Sequence, residues 1–226
     1  MPIRDDKWFD FSGKGNHGII NGATWTAKGR HGPALYFDGV DEYVNVPKML
    51  FNPKMTIGVW VKPTDTEIRH YVYGTADTGG DGWGLENECH LSQLGGKYEF
   101  FCKTADVENF RVTGGIQDTE WHHIVGVMDD KAYLYLDGSL VNSVSITGNI
   151  DFSAYFNWLR IDRPTVSIRY MKGLIDEVRI YNRALSEEEI KAHFLGARAP
   201  KVRRLALVLL AYAALIGIWV AGRRKR

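Results

Sequence analysis

Two carboxylates, Glu86 and Glu88, lie two residues apart in a stretch that predicts a β-strand over residues 83–91. Since side chains alternate along a strand, both face the same way, and a carboxylate pair is what hydrolysis of a glycosidic bond requires. Counting outward from a turn at Gly95-Gly96, however, places Glu88 opposite Lys103. A cross-strand ion pair on a solvated face therefore accounts for these carboxylates, and we expect no catalysis.

Other patterns of reactive residues are lacking in the sequence. The seven histidines and two cysteines form no cluster with metal-ligand spacing, and neither a Gly-x-Ser-x-Gly nor a phosphate-loop pattern occurs. The net charge of +1 hides an asymmetry, because seven positive charges beyond residue 200 leave residues 1–200 at about −6. A mildly acidic domain lacks the basic patch that nucleic acid requires, so we predict no nucleic-acid partner.

The outward side of the same hairpin is our candidate ligand-binding face. Sugar binding requires exposed aromatic rings beside hydrogen-bonding groups, and this face offers both. Its residues are Trp83, Glu86, Glu88, His90, Phe101 and Lys103. An ordinary solvated surface explains the same set equally well. Trp60 and Trp121 lie in strand patterns and are expected in the core.

The hairpin also predicts a disulfide bond. The same count places Cys89 opposite Cys102 at a non-hydrogen-bonded pair, where the Cα atoms are about 4.5 Å apart, within reach of a disulfide. A disulfide would indicate an oxidising compartment. The alternative is a pair of buried free thiols.

The elements that position these residues are β-strands. Alternation from Met55 to Lys62 is typical of a strand with one buried face, and Asp137-Gly138 fits a two-residue hairpin turn. About ten strands are predicted, and no helical stretch precedes residue 186, so the fold class is all-β with two packed antiparallel sheets. They lie at 33–38, 42–47, 55–62, 69–74, 83–91, 97–103, 121–128, 131–136, 139–145, 156–161 and 172–181.

One short helix is predicted at the end of this domain, from about Glu187 to Phe194. Ser186 and Glu189 have the spacing of a capping box, and Leu185 and Ile190 that of a hydrophobic staple.

The C-terminal segment predicts a single transmembrane helix. Residues 205–222 contain no charge and, at about 1.5 Å per residue, extend close to the thickness of a bilayer core. They follow a domain at 1–195 and a basic linker at 196–204, and precede a basic tail at 223–226. The slight excess of basic residues in the tail favours a cytoplasmic C-terminus and an extracellular domain. Because residues 1–7 are not a signal peptide, a cytosolic tail-anchored domain is the alternative.

Three stretches resemble the laminin-G-like, concanavalin A-like jelly rolls of many secreted and cell-surface proteins. The first runs from Asp10-Phe-Ser-Gly to Asp41-Glu-Tyr-Val44. The second joins Trp121-His-His-Ile-Val125 to the Leu134-Tyr-Leu-Asp-Gly138 hairpin. The third is Gly173–Ser186. Together they span nearly all of residues 8–195, in the family's order.

The resemblance implies a jelly-roll fold and a structural calcium ion. Asp10, Asn16 and Asp176 are the matching candidates for calcium ligands, since calcium prefers hard oxygen atoms on loops. The alternative is that these side chains only bond the local backbone, as in ordinary turns. The Glu-x-Asp-x-x-Glu pattern of glycoside hydrolases on this fold does not occur.

The family usually begins with a strand ahead of the Asp-x-Ser-Gly segment, paired with the strand that corresponds here to residues 174–181. Too few residues precede Trp8 for that strand, so we expect a truncated N-terminus or an open edge at 174–181.

These observations predict a non-catalytic, membrane-anchored recognition or adhesion module at the cell surface. Its partner would be a carbohydrate or a cell-surface protein. Two alternatives remain: a structural domain that pairs with a partner through the open edge strand, and an accessory domain of a glycoside hydrolase.

Overall fold

The fold is built from antiparallel β-strands and one short helix. A computed structural model of the protein describes residues 6–47, 54–66, 70–76, 88–104, 107–116, 118–147, 158–161 and 171–196. Its strands are β1 (Lys7–Trp8), β2 (Gly18–Asn21), β3 (Thr24–Thr26), β4 (Ala34–Asp38), β5 (Tyr43–Val46), β6 (Met55–Pro63), β7 (His70–Ala76), β8 (Glu88–Leu94), β9 (Lys97–Thr104), β10 (Val107–Gly114), β11 (His122–Met128), β12 (Lys131–Leu136), β13 (Ser139–Ser145), β14 (Trp158–Ile161) and β15 (Lys172–Tyr181), and the helix is α1 (Glu187–Phe194).

The strands form two sheets that pack face to face. The first sheet has eight strands in the order β1-β2-β5-β14-β7-β8-β9-β10, and the second has seven in the order β13-β12-β11-β6-β15-β4-β3. Neighbouring strands are antiparallel throughout both sheets. The predicted all-β sandwich with one short helix is therefore confirmed, and the arrangement is consistent with a jelly roll.

The sequence prediction missed four strands, β1, β2, β3 and β10. The first three have two to four residues, too short for an alternating pattern to be recognised. In β10 the pairing register shifts between Val107 and Phe110, which interrupts the alternation. The strand predicted at 83–91 is observed at Glu88–Leu94, next to the Gly95-Gly96 turn.

The inner faces of the two sheets meet at a close contact between Phe100 of β9 and Gly126 of β11. A Cβ atom at Gly126 would lie 2.7 Å from the Phe100 ring, so only glycine leaves room for that ring. Phe100 has no solvent exposure, and Leu91 and Val112 on its sheet belong to the same core. Because successive side chains of a strand point to opposite faces, this contact also determines which side chains of β9 point away from the core.

β15 has a neighbouring strand on both sides only over its first four residues. Residues 172–175 pair with β4 on one side, and most of the strand pairs with β6 on the other. The expectation of an open edge at 174–181 is therefore wrong for residues 174–175, where the short strand β4 lies beside β15. From Asp176 to Tyr181, β6 is the only neighbouring strand among the residues that the structure describes.

Helix α1 packs on the outer face of the second sheet and has the predicted capping box. The Ser186 hydroxyl accepts from the Glu189 N–H (3.3 Å), and the Glu189 carboxylate accepts from the Ser186 N–H (3.0 Å). Leu185 and Ile190 pack in a small cluster with residues of β11 and β12. The hydroxyl of Thr56 on β6 accepts from the Leu185 N–H (2.9 Å), tying the start of the helix to the sheet.

Trp60 is buried, as the sequence predicts, but it lies beneath the helix and not between the sheets. Its ring stacks on Phe194 of α1 at 5.6 Å and contacts the rings of His31 and His123. The other candidate core tryptophan, Trp121, is only half-buried and precedes β11. Side chains on both faces of this sheet can therefore be buried, because α1 covers part of the outer face.

The predicted membrane segment lies beyond the described part of the chain. No helix among the described residues is long and apolar enough to cross a bilayer. Residues 205–222 fall outside that part, so the transmembrane helix stays a prediction.

We expect the packing around His123 to weaken in acid. His123 is 2% exposed, and burial, reinforced by repulsion from a proton on His193 and from the Arg179 guanidinium, lowers its pKa to about 4. Because this folded-state pKa lies below the unfolded value of 6.5, the unfolded chain takes up the proton first as the pH falls. The contribution of neutral His123 to the free energy of unfolding is fully present above pH 6.5. It is lost as the pH falls from 6.5 to 4 and amounts to a total on the order of 3 kcal/mol.

The test compares the wild type with His123→Phe, which keeps an aromatic ring but does not titrate. Urea unfolding at pH 7 and pH 5 should show that the wild type loses about 2 kcal/mol more than the variant on acidification. Equal losses in the two proteins would contradict a neutral, buried His123.

Candidate functional site

The hairpin of β8 and β9 has the predicted register. Gly95 and Gly96 form its turn with φ values of +59° and +75°, which suit a two-residue turn that only glycine adopts freely. Cys89 pairs with Cys102, and the two are joined by a disulfide with a Cα–Cα distance of 4.1 Å. The disulfide prediction is therefore confirmed.

Alternate residues of β8, β9 and β10 form a cluster on the face of the first sheet that points away from the core. His90 pairs with Phe101, Ser92 with Glu99, and Arg111 of β10 with Phe101. Their sequence neighbours, such as Leu91 and Phe100, face the core instead. We call this set the outer-face cluster: His90, Ser92, Glu99, Phe101 and Arg111.

A fully buried carboxylate, Glu99, lies at the centre of the outer-face cluster. One of its oxygens accepts from His90 Nε2 at 3.0 Å and from Ser92 Oγ at 3.2 Å. Its other oxygen accepts from Arg111 Nη1 at 2.6 Å. Because an ionised carboxylate only accepts, the bond to His90 requires a hydrogen on Nε2 of that ring. Since a buried charge is costly unless paired and hydrogen-bonded, these contacts offset the burial of Glu99.

The Arg111 side chain is the exposed member of the outer-face cluster. Its guanidinium carbon lies 5.0 Å from the centre of the Phe101 ring, which itself stacks on His90 at 4.9 Å. The side chain remains 46% exposed. Held by a charged hydrogen bond and by a ring face, the guanidinium presents its remaining N–H groups to solvent in a restricted orientation.

The structure corrects the predicted solvated face at two positions. His90 and Phe101 are adjacent, as predicted, but they are only 3% and 7% exposed, because they stack on one another and His90 is bonded to Glu99. Lys103 is half-buried on the same face, paired in register with Glu88. The side chain of Glu88 is outside the described structure, as are Trp83 and Glu86.

Sequence analysis missed three members of the outer-face cluster: Ser92, Glu99 and Arg111. Two of them could have been predicted from the sequence. The count from Gly95-Gly96 that pairs the cysteines also places Glu99 opposite Ser92. Arg111 had no such signal, since its strand was not recognised.

The outer-face cluster contains one carboxylate and exposed hydrogen-bond donors. Glycoside hydrolysis needs two carboxylates on opposite sides of the sugar, whereas Glu99 is the only carboxylate of the cluster and accepts from three side-chain donors. Arg111 and Lys103 instead offer positive charge and N–H donors to a ligand rich in oxygen atoms.

The calcium candidates differ in their hydrogen-bond partners. Asp10 and Asn16 are neighbours, because an Asp10 oxygen accepts from the Asn16 N–H at 2.8 Å, and hydrogen bonds from Ser12 lower the pKa of Asp10. Asp176 instead accepts from the N–H groups of His31 and Glu177. Among the described residues, no group of three or more His, Cys, Asp or Glu side chains is placed to hold a metal ion. Each aspartate bonds backbone groups of its own surroundings, and calcium binding stays a prediction.

The sequence matches one known family. The model described as the concanavalin A-like lectin/glucanases superfamily matches residues 38–191, which is more than half of the chain. Among curated proteins, none matches at a significant level.

Similar solved structures are distant in sequence. Domain 4 of AbnA, an extracellular arabinanase of Geobacillus stearothermophilus solved with arabinotriose, is 17% identical with a TM-score of 0.60, covering 77% of this chain and 86% of its own. The binding domain of botulinum neurotoxin serotype G is 14% identical with a TM-score of 0.65, covering 82% of this chain and 47% of its own. A pentraxin of Limulus polyphemus is 12% identical with a TM-score of 0.57, covering 73% and 83%. At these identities the likeness shows the fold alone.

We expect Glu99 and Arg111 to be energetically coupled. Arg111→Met leaves the buried carboxylate without its cation and should cost about 2 kcal/mol of unfolding free energy, a value reduced for the partial exposure of Arg111. Adding Glu99→Gln removes the unpaired charge and should recover about half of that loss. Urea unfolding of the two single variants and the double variant measures the coupling. If the double variant loses the sum of the two single losses, the pair is not coupled.

Proposed function

Because the chain belongs to the concanavalin A-like lectin/glucanases superfamily, we propose that its β-domain is a non-catalytic recognition module that binds a glycan through the outer-face cluster. The observation that carries the proposal is Arg111, held in place by Glu99 and Phe101 while 46% of its side chain stays exposed. A side chain fixed before binding loses little conformational freedom when the ligand arrives.

The ligand that suits this surface carries many oxygen acceptors. Arg111 and the half-buried Lys103 supply donors and positive charge on one face of the sheet. A glycan with hydroxyl or acidic groups has this character, and so has an acidic patch on a cell-surface protein. Glycans are the better match, since the guanidinium fork and the ammonium group are separate donors that suit scattered acceptors.

Two similar structures support recognition as the role of this fold. The arabinanase domain was solved with arabinotriose, a short carbohydrate, and the neurotoxin fragment is a binding domain. Both descriptions concern those proteins, and they favour a glycan or receptor as the kind of partner to test first.

We further propose that residues 205–222 anchor the domain in a membrane, with the domain outside the cell. The support is the charge-free apolar segment with basic residues on both sides. The Cys89–Cys102 disulfide is in keeping with an oxidising compartment. Display at the surface would make the outer-face cluster available to ligands on other cells or in the surrounding matrix.

Glycan binding can be tested on the full chain in detergent with a glycan array. The wild type should bind a subset of glycans. The double variant Glu99→Gln with Arg111→Met should bind them at least about tenfold more weakly, because it lacks the Arg111 guanidinium. The Glu99→Gln change ensures that no unpaired charge stays buried in this variant. Lys103→Gln, outside the buried pair, should weaken binding of the same glycans.

The matched control is Lys131→Gln, an exposed lysine on β12 of the other sheet. It should bind as the wild type does. If the double variant and Lys103→Gln both bind as the wild type does, the outer-face cluster is not the glycan-binding site. If the wild type binds no glycan, a protein partner is favoured.

Topology can be measured by protease protection on intact cells, with an epitope tag at the N-terminus. Digestion of the tag and domain from outside is the expected result, because the slight basic excess of the tail favours a cytoplasmic C-terminus. Protection until the membrane is lysed would indicate a cytosolic, tail-anchored domain, and surface recognition would then be wrong.

A further inference from the structure

A row of four residues, one on each of four neighbouring strands, crosses the outer face of the second sheet. Thr24 pairs with Tyr36, Tyr36 with Leu174, and Leu174 with Lys62, so these four residues lie side by side across β3, β4, β15 and β6. They point away from the core, because Leu35, Ile175 and Val61 beside them belong to it. Helix α1 packs against residues of β11 and β12 and against Trp60, which leaves this row outside its footprint.

The row forms the floor of an open depression with a volume of about 430 Å³. This volume is within the range of sites for small ligands. Thr26, the last residue of β3, and Lys28, two residues further along the chain, complete one side. The Thr26 hydroxyl accepts from the Lys28 N–H at 3.3 Å, which helps to fix where the Lys28 side chain starts.

The charges around the depression are mostly positive. Lys28 is exposed and has no acidic partner among the described residues. Lys62 lies 3.1 Å from Glu120, whose side chain is 73% exposed and therefore holds the lysine only weakly. Because residues 1–200 as a whole are acidic, two lysines around one depression are a local exception.

We propose that this depression binds an acidic sugar, a pyranose that carries a carboxylate. The half-buried Tyr36 ring and the Leu174 side chain give an apolar floor for the C–H face of the sugar. Thr24 and Thr26 offer hydroxyl groups, and Lys28 and Lys62 attract the carboxylate. An acidic peptide would use the lysines but has no ring face to place on the floor. This site is on a different sheet from the outer-face cluster and does not depend on it.

The test is calorimetric titration of the full chain in detergent with a hexamer of galacturonic acid, and with the neutral galactose hexamer and hexaglutamate as comparison ligands. The acidic hexamer should bind, the two comparison ligands should bind at least about tenfold more weakly, and added salt should weaken the interaction. Lys28→Gln and Tyr36→Leu should each reduce affinity for the acidic hexamer about fivefold or more. Glu120→Gln should raise it about threefold, because it releases Lys62 and removes a repelling charge.

Two controls separate this proposal from the first one. Lys131→Gln on the same sheet should leave binding unchanged, and so should the double variant Glu99→Gln with Arg111→Met, which removes the outer-face cluster. Lack of binding, equal binding of hexaglutamate, or an equal effect of Lys28→Gln and Lys131→Gln would overturn the acidic-sugar site. Loss of binding in the double variant would place the hexamer on the outer-face cluster instead.

Discussion

The contact between Phe100 and Gly126 is the constraint on which the arrangement of this domain depends. The two sheets approach one another closely there, and a Cβ atom on Gly126 would overlap the ring of Phe100. Because Phe100 faces the core and successive side chains of a strand point to opposite faces, Glu99 and Phe101 must lie on the outer face. The candidate binding face therefore follows from how the sandwich is packed.

That face carries an unusual cost, the burial of a charged carboxylate. The outer face of a sheet is often solvated, but Glu99 has no exposure and is held by three side chains, from His90, Ser92 and Arg111. Burial with full hydrogen bonding restricts each partner to one orientation. The result is a rigid arginine at the surface, and rigid donors distinguish ligands better than mobile ones.

The second sheet uses its outer face in two different ways. Near Trp60, helix α1 covers it, tied down by the bond between Thr56 and the Leu185 N–H and by the stacking of Phe194 on Trp60. Further along, no helix among the residues that the structure describes covers the row that contains Tyr36 and Lys62. One face thus serves both to bury the C-terminal helix of the domain and to present a depression to solvent.

The sequence by itself determined the local features of this protein. The β8–β9 register with its disulfide and the capping box at Ser186 depend on the spacing of a few neighbouring residues, and each was predicted and found. Only the tertiary structure decided which surfaces are covered. His90 looked exposed from its strand pattern, yet it is buried because Glu99 and Phe101 surround it, and Arg111 reaches them from a strand whose bulge hid its pattern. Alternation along a strand predicts which residues share a face. The residues that cover that face come from distant parts of the chain, so no local sequence pattern predicts them.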